Sequence, residues 1–267
     1  MVINGVKFDW GKRTYIMGIL NRTPDSFSDG GKYTGMEEAL SHAAEMISRG
    51  ADIIDIGGES TRPGFAPVGV NEEIDRVVPL IEAVSQKYGI PISVDTYHAK
   101  TAEAALKAGA RIINDIWGLK ADPEMAGVAA RYQAPVCIMH NKKLPEYENL
   151  LKDVLKELEQ SVELAVKSGI KNENIIIDPG IGFGKTYEHN IEIMKNLEIF
   201  KSLGFPILLG ISRKSMIGLT LDMPVDKRLE GTIAANVIGI MKGADIIRVH
   251  DVEQNRLAAV MTDRIVR

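Results

Sequence analysis

Two residues near the end of the sequence are spaced in a way that suits anion binding. Arg248 and His250 follow an apolar run and are separated by one residue, so in a strand both side chains lie on the same side. Two donors on one side suit an anion such as a phosphate. A histidine alone at such a position is more often a packing residue, so the interpretation depends on the pair.

Four aspartates stand at comparable positions, at or just after the ends of apolar runs. Asp95 and Asp178 directly follow apolar runs and are expected to be partly buried. A buried carboxylate costs several kcal/mol unless a donor binds it, so these two residues predict a ligand rich in hydrogen-bond donors. Asp115 and Asp251 also follow apolar runs, but a helix N-cap explains an isolated Asp there equally well.

The elements that must position these residues recur with a regular rhythm. Short apolar or β-branched runs return about every 30 residues and predict eight strands. They lie at Tyr15–Leu20, Asp52–Ile56, Ile90–Val94, Arg111–Asn114, Val136–Met139, Ile175–Ile177, Ile207–Leu209 and Ile246–Val249. Helical patterns between them cover Glu37–Arg49, Glu72–Lys87, Ala99–Ala108, Leu150–Ser168, Asn190–Leu203 and Leu229–Lys242.

Strands that are apolar on both faces and alternate with helices are typical of parallel pairing. Polar or glycine-rich sequence follows nearly every predicted strand, as an active face built from the loops after the strands requires. We therefore predict a single-domain (β/α)8 barrel, the TIM barrel, over residues 1–267, with an open doubly wound sheet as the alternative. Asn4-Gly5 between apolar residues predicts a short β-hairpin that closes the barrel floor.

The composition restricts the partners that the chain is expected to have. Lys and Arg total 32 against 36 Asp and Glu, so there is no basic excess for a nucleic acid. No apolar stretch approaches the length of a membrane span, and the N-terminal residues do not resemble a targeting signal. The single cysteine, Cys137, cannot form an internal disulfide. We expect a cytoplasmic protein that binds neither nucleic acid nor a membrane.

Eight segments of the chain, in order, resemble the signatures of the dihydropteroate synthases, which are pterin-binding enzymes. They are MGILNRTPDSFSDGG, DIGGESTRPG, SVDT, NDIWG, DPGIGFGKT, GISRKSMIG, RLEGT and RVHDV, and they cover almost the whole chain. SVDT and NDI alone are weak, but the two long N-terminal segments are specific. The resemblance implies a folate-pathway transferase that joins a pterin methyl diphosphate to 4-aminobenzoate, is a target of sulfonamides and forms a homodimer.

The resemblance also implies the site residues. Those expected to bind the pterin diphosphate are Thr61, Asp95, Asn114, Met139, Asp178, Lys214, Arg248 and His250. Those expected to bind 4-aminobenzoate are Thr61, Arg62, Pro63, Phe183, Lys185 and Ser212. Asn21 is the expected protein ligand of Mg²⁺. Catalysis is assigned to Asp95, Asp178, Lys214, Arg248 and His250, in a dissociative substitution in which the bond to diphosphate breaks early.

Two departures from the family pattern keep alternatives open. Arg22 stands beside Asn21 where the family usually has a small apolar residue, and the segment His140-Asn141-Lys142-Lys143 is shorter and more basic than usual. Arg22 is the one feature that favours a catalytically silent pterin-binding relative. A methyltetrahydrofolate:corrinoid methyltransferase is the other alternative. It shares the pterin pocket but has no need for the residues assigned to the diphosphate.

Overall fold

A computed structural model describes residues 1–21, 32–58 and 68–267 of the chain. A two-stranded hairpin, β1 (Val2–Ile3) and β2 (Val6–Lys7), opens the chain, and eight parallel strands follow. These strands are β3 (Tyr15–Asn21), β4 (Ile53–Gly57), β5 (Ile92–Asp95), β6 (Ile112–Asp115), β7 (Val136–Met139), β8 (Ile175–Asp178), β9 (Leu208–Leu209) and β10 (Ile246–Val249).

Nine helices belong to the described part of the chain. They are α1 (Lys32–Ser48), α2 (Val70–Lys87), α3 (Ala99–Ala108), α4 (Met125–Tyr132), α5 (Leu150–Lys167), α6 (Tyr187–Lys195), α7 (Ser215–Leu221), α8 (Leu229–Met241) and α9 (Val252–Val266). Within the described ranges, no helix combines the length and the apolar character that a membrane span needs.

The eight strands form a barrel, as the sequence predicts. Their order in the sheet is β8-β7-β6-β5-β4-β3-β10-β9, and every pairing between them is parallel. A parallel bridge between Ile177 and Ile207 joins the two edges and nearly closes the barrel. Because all strands run the same way, their carboxyl ends, which carry the predicted site residues, meet at one mouth.

The two faces of each strand serve different purposes, since successive side chains alternate. One set packs outward against the helices and includes Ile16, Ile54 and Val94. The other set faces the barrel interior and forms a separate cluster. Its members are Tyr15, Met17, Ile53, Ile112, Cys137, Ile176, Leu208 and Ile246, packed against Ile3 and Phe8. The hairpin thus closes the floor as predicted, with its turn at Asn4 and Gly5 at φ 48° and 76°.

The structure differs from the sequence prediction in several helices. The helices α4, α7 and α9 were not predicted, because α4 and α7 are short and the apolar pattern of α9 is broken by exposed Leu257 and Met261. The predicted helix Asn190–Leu203 divides into α6 and a 3₁₀ helix, Leu197–Leu203. The break falls at Asn196, whose side chain donates to the carbonyl oxygen of Glu192.

Candidate active site

An arginine held between two carboxylates lies inside the barrel mouth. Arg248 on β10 donates from Nε to Asp55 Oδ2 and from Nη2 to Asp95 Oδ2, both at 2.6 Å. Asn114 on β6 donates to the same oxygen of Asp55 at 3.3 Å. Asp55, Asp95 and Asn114 are all buried. Residues from β4, β5, β6 and β10 therefore converge on one guanidinium.

Burial and charge determine the protonation of this group. Burial raises the pKa of Asp95 to about 7, with Arg248 opposing the rise and Asp55 adding to it. Burial would lower the pKa of Arg248, but the carboxylates of Asp55 and Asp95 outweigh it, and the pKa is raised. Asp55 Oδ1 and Asp95 Oδ1 are buried and have no hydrogen-bond partner within the described residues. The mouth thus holds a fixed cation and acceptor capacity that the described residues leave unused.

A second pair of opposite charges lies on the neighbouring side of the mouth. Asp178, the last residue of β8, accepts a 2.7 Å hydrogen bond from the backbone N–H of Gly180. Burial raises the pKa of Asp178, and the nearby Lys214 opposes that rise. Lys214 donates to the carbonyl oxygen of Ile181, and burial lowers its pKa to about 8 while Asp178 opposes the change.

Asp95, Lys214 and Arg248 open into one cavity of about 290 Å³ at the mouth. Among its lining residues are Asn21, Asp95, Phe183, Ser212, Lys214, Arg248 and His250, all of them predicted from the sequence. Gly182 and Gly210 also line it, and their missing side chains leave room. The Lys214 ammonium lies 4.3 Å from the centroid of the Phe183 ring, in cation–π range.

The turn after β9 is fixed by bonds on both sides. The Ser212 hydroxyl lies 3.0 Å from His250 Nδ1 and accepts from the His250 backbone N–H at 3.2 Å. Arg213, at φ 56°, binds Asp251 through two hydrogen bonds of 3.0 and 2.5 Å. Thr232, in the RLEGT segment, accepts from the Arg213 backbone N–H at 3.0 Å. This turn places Ser212, Arg213 and Lys214 along the cavity, with the Arg213 guanidinium paired to Asp251.

The remaining predicted residues occupy varied positions. Asn114, Met139 and Asp178 are buried on neighbouring strands of the barrel, where they do not line the cavity surface. Lys185 does not line it either, and its ammonium lies 2.8 Å from His140 Nδ1 and 3.0 Å from the Phe183 carbonyl oxygen. Thr61, Arg62 and Pro63 lie outside the described residues, as does Arg22.

Sequence reasoning missed one residue of this site, Asp55. The feature of the sequence that points to it is a charged residue in the middle of an otherwise apolar strand, Ile53–Gly57. Asp115, for which the sequence left both a catalytic and a structural role open, has a structural role. Its carboxylate accepts from the backbone N–H groups of Trp117 and Leu119, both at 2.8 Å. Asp251 pairs with Arg213 and makes no side-chain cap.

The described residues fit a metal ion that is bound mainly through its substrate. Within residues 1–21, 32–58 and 68–267, no group of three His, Cys, Asp or Glu side chains could hold an ion. Asn21, the last residue of β3, lines the cavity beside Arg248 and His250. A Cβ on Gly57 would lie 3.2 Å from Asn21 Oδ1, so the glycine keeps this amide oxygen accessible. Mg²⁺ is commonly bound by one or two protein oxygens together with phosphates and water.

Known proteins resemble this chain closely in both sequence and fold. The sequence profile of a family described as pterin binding enzyme matches residues 17–250. A dihydropteroate synthase from Clostridium beijerinckii is 60% identical, in an alignment of 268 positions that covers 100% of this chain and 100% of that one.

The chain belongs to the pterin-binding enzyme family.

Solved structures of family members agree with this assignment. The dihydropteroate synthase from Clostridium difficile, solved in the presence of pteroic acid, is 54% identical, with a TM-score of 0.96 over 98% of this chain and 100% of that one. The enzyme from Yersinia pestis, solved with a sulfonamide drug complex, is 42% identical, with a TM-score of 0.93 over 99% of this chain and 98% of that one. Within the pterin-binding enzymes, this chain therefore groups with the dihydropteroate synthases, transferases of folate synthesis.

Proposed function

We propose that the chain condenses (7,8-dihydropterin-6-yl)methyl diphosphate with 4-aminobenzoate to give 7,8-dihydropteroate and diphosphate. The observation that carries the proposal is the arrangement around Arg248, a fixed cation that binds Asp55 and Asp95 and lines one cavity with Asp95 and His250. Within the described residues, each of the two carboxylates keeps one oxygen without a partner. The relatives described above favour this reaction over the methyltransferase alternative.

The pterin ring is proposed to occupy the deep part of the mouth. Its amine and ring N–H groups are donors, and the unpaired Asp95 Oδ1 and the Asp178 carboxylate are acceptors. Asn114 and Lys214 complete the polar edge, Thr61 is assigned to the same substrate, and Met139 and Arg248 flank the ring. In this proposal, the donor-rich ligand predicted from two buried aspartates is the pterin.

The diphosphate is proposed to lie against Arg248, His250 and Asn21. Mg²⁺, held by Asn21 and by the substrate, would neutralise charge on the leaving group. The bond between the methylene carbon and diphosphate breaks, and Asp95 and Asp178 stabilise the positive charge that spreads into the pterin. The arylamine nitrogen then forms the new C–N bond, and its proton leaves to water or diphosphate.

The second substrate is proposed to bind against Phe183 and Ser212, together with Thr61, Arg62 and Pro63. Phe183 and Ser212 line the same cavity as Lys214 and Arg248, so a ring stacked there would have its amine close to the pterin methylene. Lys185 belongs to this subsite through its bond to the Phe183 carbonyl. Sulfonamides resemble 4-aminobenzoate and are expected to compete for the same place.

We also propose that the chain works as a single-domain homodimer in the cytoplasm. The face formed by α7, α8 and α9 exposes a series of large apolar side chains: Leu219, Leu221, Ile238, Met241, Leu257, Val260, Met261 and Ile265. Exposed apolar side chains grouped on one face are typical of a surface that binds another protein. Light scattering should give about twice the chain mass of 29.3 kDa, and Leu257→Glu with Met261→Glu should give the monomer.

Turnover tests the proposed reaction. Both substrates and Mg²⁺ are mixed with the protein, and pteroate and diphosphate are measured, beside an Arg22→Val variant. We expect equal amounts of both products, their loss with a chelator and competition by a sulfonamide against 4-aminobenzoate. Activity in the variant alone would show that Arg22 disables the natural chain, and bound pterin without turnover in either would indicate a silent binding protein.

A further inference from the structure

The loop at 179–186, which follows β8, is held in place by side chains from several elements. Asn190 Oδ1 on α6 accepts from the Gly182 backbone N–H at 2.7 Å. Tyr147, ahead of α5, donates to the Gly184 carbonyl oxygen at 2.8 Å. The loop carries Phe183, whose ring lines the cavity. Its backbone is therefore fixed by bonds that none of the proposed catalytic steps uses.

The same loop packs tightly on the segment that follows β7. Gly180 and Gly184 have φ of 73° and 56°. A Cβ on Gly180 would lie 1.9 Å from the His140 carbonyl oxygen, and one on Gly184 would lie 2.3 Å from that of Lys142. Side chains there would force the two segments apart. The unusual His140–Lys143 segment is thus the surface on which the loop rests.

Lys185 and His140 form the polar contact between the two segments. The Lys185 ammonium lies 2.8 Å from His140 Nδ1 and donates to the Phe183 carbonyl oxygen at 3.0 Å. A donor from lysine requires Nδ1 to be an acceptor, so the imidazole is neutral with its proton on Nε2. His140 Nε2 lies 3.3 Å from Glu157 Oε2 on α5, near enough for electrostatic attraction but not aligned for a hydrogen bond.

The protonation of the pair agrees with this arrangement. Burial and, after it, the charge of Lys185 lower the pKa of His140 to about 2, so the imidazole stays neutral. Burial also lowers the pKa of Lys185 to about 7. The carboxylates of Asp178 and Glu157 oppose this change, and the charges of Lys214 and Lys142 add to it. Both the charged and the neutral amine can donate, so the contact persists on either side of neutrality.

We propose that His140 and Lys185 are positioning residues that hold the Phe183 backbone and thereby place the Phe183 ring in the wall of the second-substrate subsite. The assignment of that subsite to 4-aminobenzoate rests on the proposed function. His140 is buried and does not line the cavity, so it acts through Lys185 and the loop. The alternative is that Lys185 contacts the second substrate directly.

The position of the ring can be measured without any turnover. The chain has 6 phenylalanines, so labelling with 4-fluorophenylalanine gives a small set of fluorine NMR signals, and Phe183→Leu identifies the signal of Phe183. We expect Lys185→Met and His140→Leu to shift or broaden that signal in the free protein. His140→Asn should restore it, because the amide Oδ1 replaces Nδ1 as the acceptor. An unchanged Phe183 signal in Lys185→Met would overturn the proposal, whatever its activity.

Kinetics then separate positioning from direct contact. We expect Lys185→Met and His140→Leu each to raise KM for 4-aminobenzoate about tenfold, from the loss of one hydrogen bond in the pair, with KM for the pterin diphosphate unchanged. The double variant should be no worse than Lys185→Met alone, because that substitution already removes the amine through which His140 acts on the loop. If the effects of the two substitutions on KM add, or if only Lys185→Met raises KM, Lys185 contacts the second substrate directly. Either result would contradict the proposed positioning pair.

Lys142→Met is the matched control. Lys142 also pairs with Glu157, at 2.8 Å, but its side chain makes no bond to the loop. It should leave both the Phe183 signal and the two KM values unchanged. If the natural chain makes no pteroate at all, the proposed function fails, while the fluorine signals still decide whether the pair positions Phe183.

Discussion

The floor and the mouth of the barrel interior are built by the same strands. Their residues lie two positions apart along each strand, so both sets of side chains face inward. Ile53 and Ile176 belong to the floor, and Asp55 and Asp178, two residues further along β4 and β8, belong to the mouth. The floor residues are apolar and closely packed against the hairpin. The mouth residues are buried carboxylates and partly buried cations, and within the described part of the chain some carboxylate oxygens have no hydrogen-bond partner.

This difference shows how one fold separates stability from chemistry. Burying an apolar side chain in the floor stabilises the fold in every state of the enzyme. Burying Asp55 and Asp95 costs free energy that Arg248 only partly offsets, since one oxygen of each carboxylate has no partner among the residues that the structure describes. A substrate that donates to such an acceptor gains the interaction without having to reorganise the site. Substitutions in the floor should therefore affect mainly stability, whereas substitutions in the mouth should affect mainly activity.

The largest effect on activity is expected for Arg248→Gln. The variant loses the cation between Asp55 and Asp95 and the proposed diphosphate contact, so kcat/KM for the pterin diphosphate should fall about 1000-fold. Steady-state kinetics measure it. Arg13→Gln is the control, because Arg13 makes a comparable bidentate pair with Asp52 away from the cavity. Nearly full activity in Arg248→Gln would contradict the proposed role.

A floor substitution should show the reverse pattern. Ile176→Ala removes a fully buried side chain from the floor cluster and should lower the free energy of unfolding by about 3 kcal/mol. Urea unfolding measures the loss, and the kcat of the folded protein should not change. If Ile176→Ala lowered kcat without lowering the free energy of unfolding, the floor and the mouth would not have separate roles in stability and activity.

Asp55→Asn sharpens the comparison, because it changes the charge of the mouth and little of its volume. The Arg248 guanidinium loses one charged partner, and kcat/KM should fall about 30-fold. Kinetics with the pterin diphosphate measure this fall. Asp245→Asn, at a carboxylate that accepts from the backbone N–H groups of Gly11 and Ile207 away from the mouth, should leave kcat/KM unchanged.

The same variant should move the pH dependence of binding. Ionised Asp95 is the proposed acceptor, and burial raises its pKa to about 7, so affinity for the pterin should fall as the pH is lowered through about 7. The charge of Asp55 contributes to that raised pKa, so Asp55→Asn lowers the pKa of Asp95, and the midpoint moves to lower pH. Titration calorimetry across pH gives both midpoints. A midpoint that moves to higher pH would rule out this electrostatic coupling.

The smallest effect is expected at the hairpin below the floor. Gly5 has φ 76° and open space around it, so Gly5→Ala adds backbone strain without a clash. The free energy of unfolding should fall by about 1 kcal/mol, with activity unchanged. Thermal unfolding measures it, and an activity loss would mean that the floor hairpin communicates with the mouth.

Much of the fold and part of the site could be predicted from local sequence. Apolar runs at regular intervals identified the eight strands, and polar residues at their ends identified Asp95, Asp178, Arg248 and His250. Prediction failed where the pattern was short or broken, as in α7 and α9. It also failed at Asp55, because a charge within an apolar run gives no local sign of its partner.

The sequence by itself determined the alternation of strands and helices, since side-chain periodicity acts within a few residues. It also determined which polar groups end the strands. Only the tertiary structure decided their partners: Arg248 lies between Asp55 and Asp95, and Lys185 turns to His140 and the Phe183 carbonyl. Apart from the local bond between Lys185 and Phe183, these contacts join residues far apart in the chain. They depend on strand order and barrel closure, which no local pattern encodes.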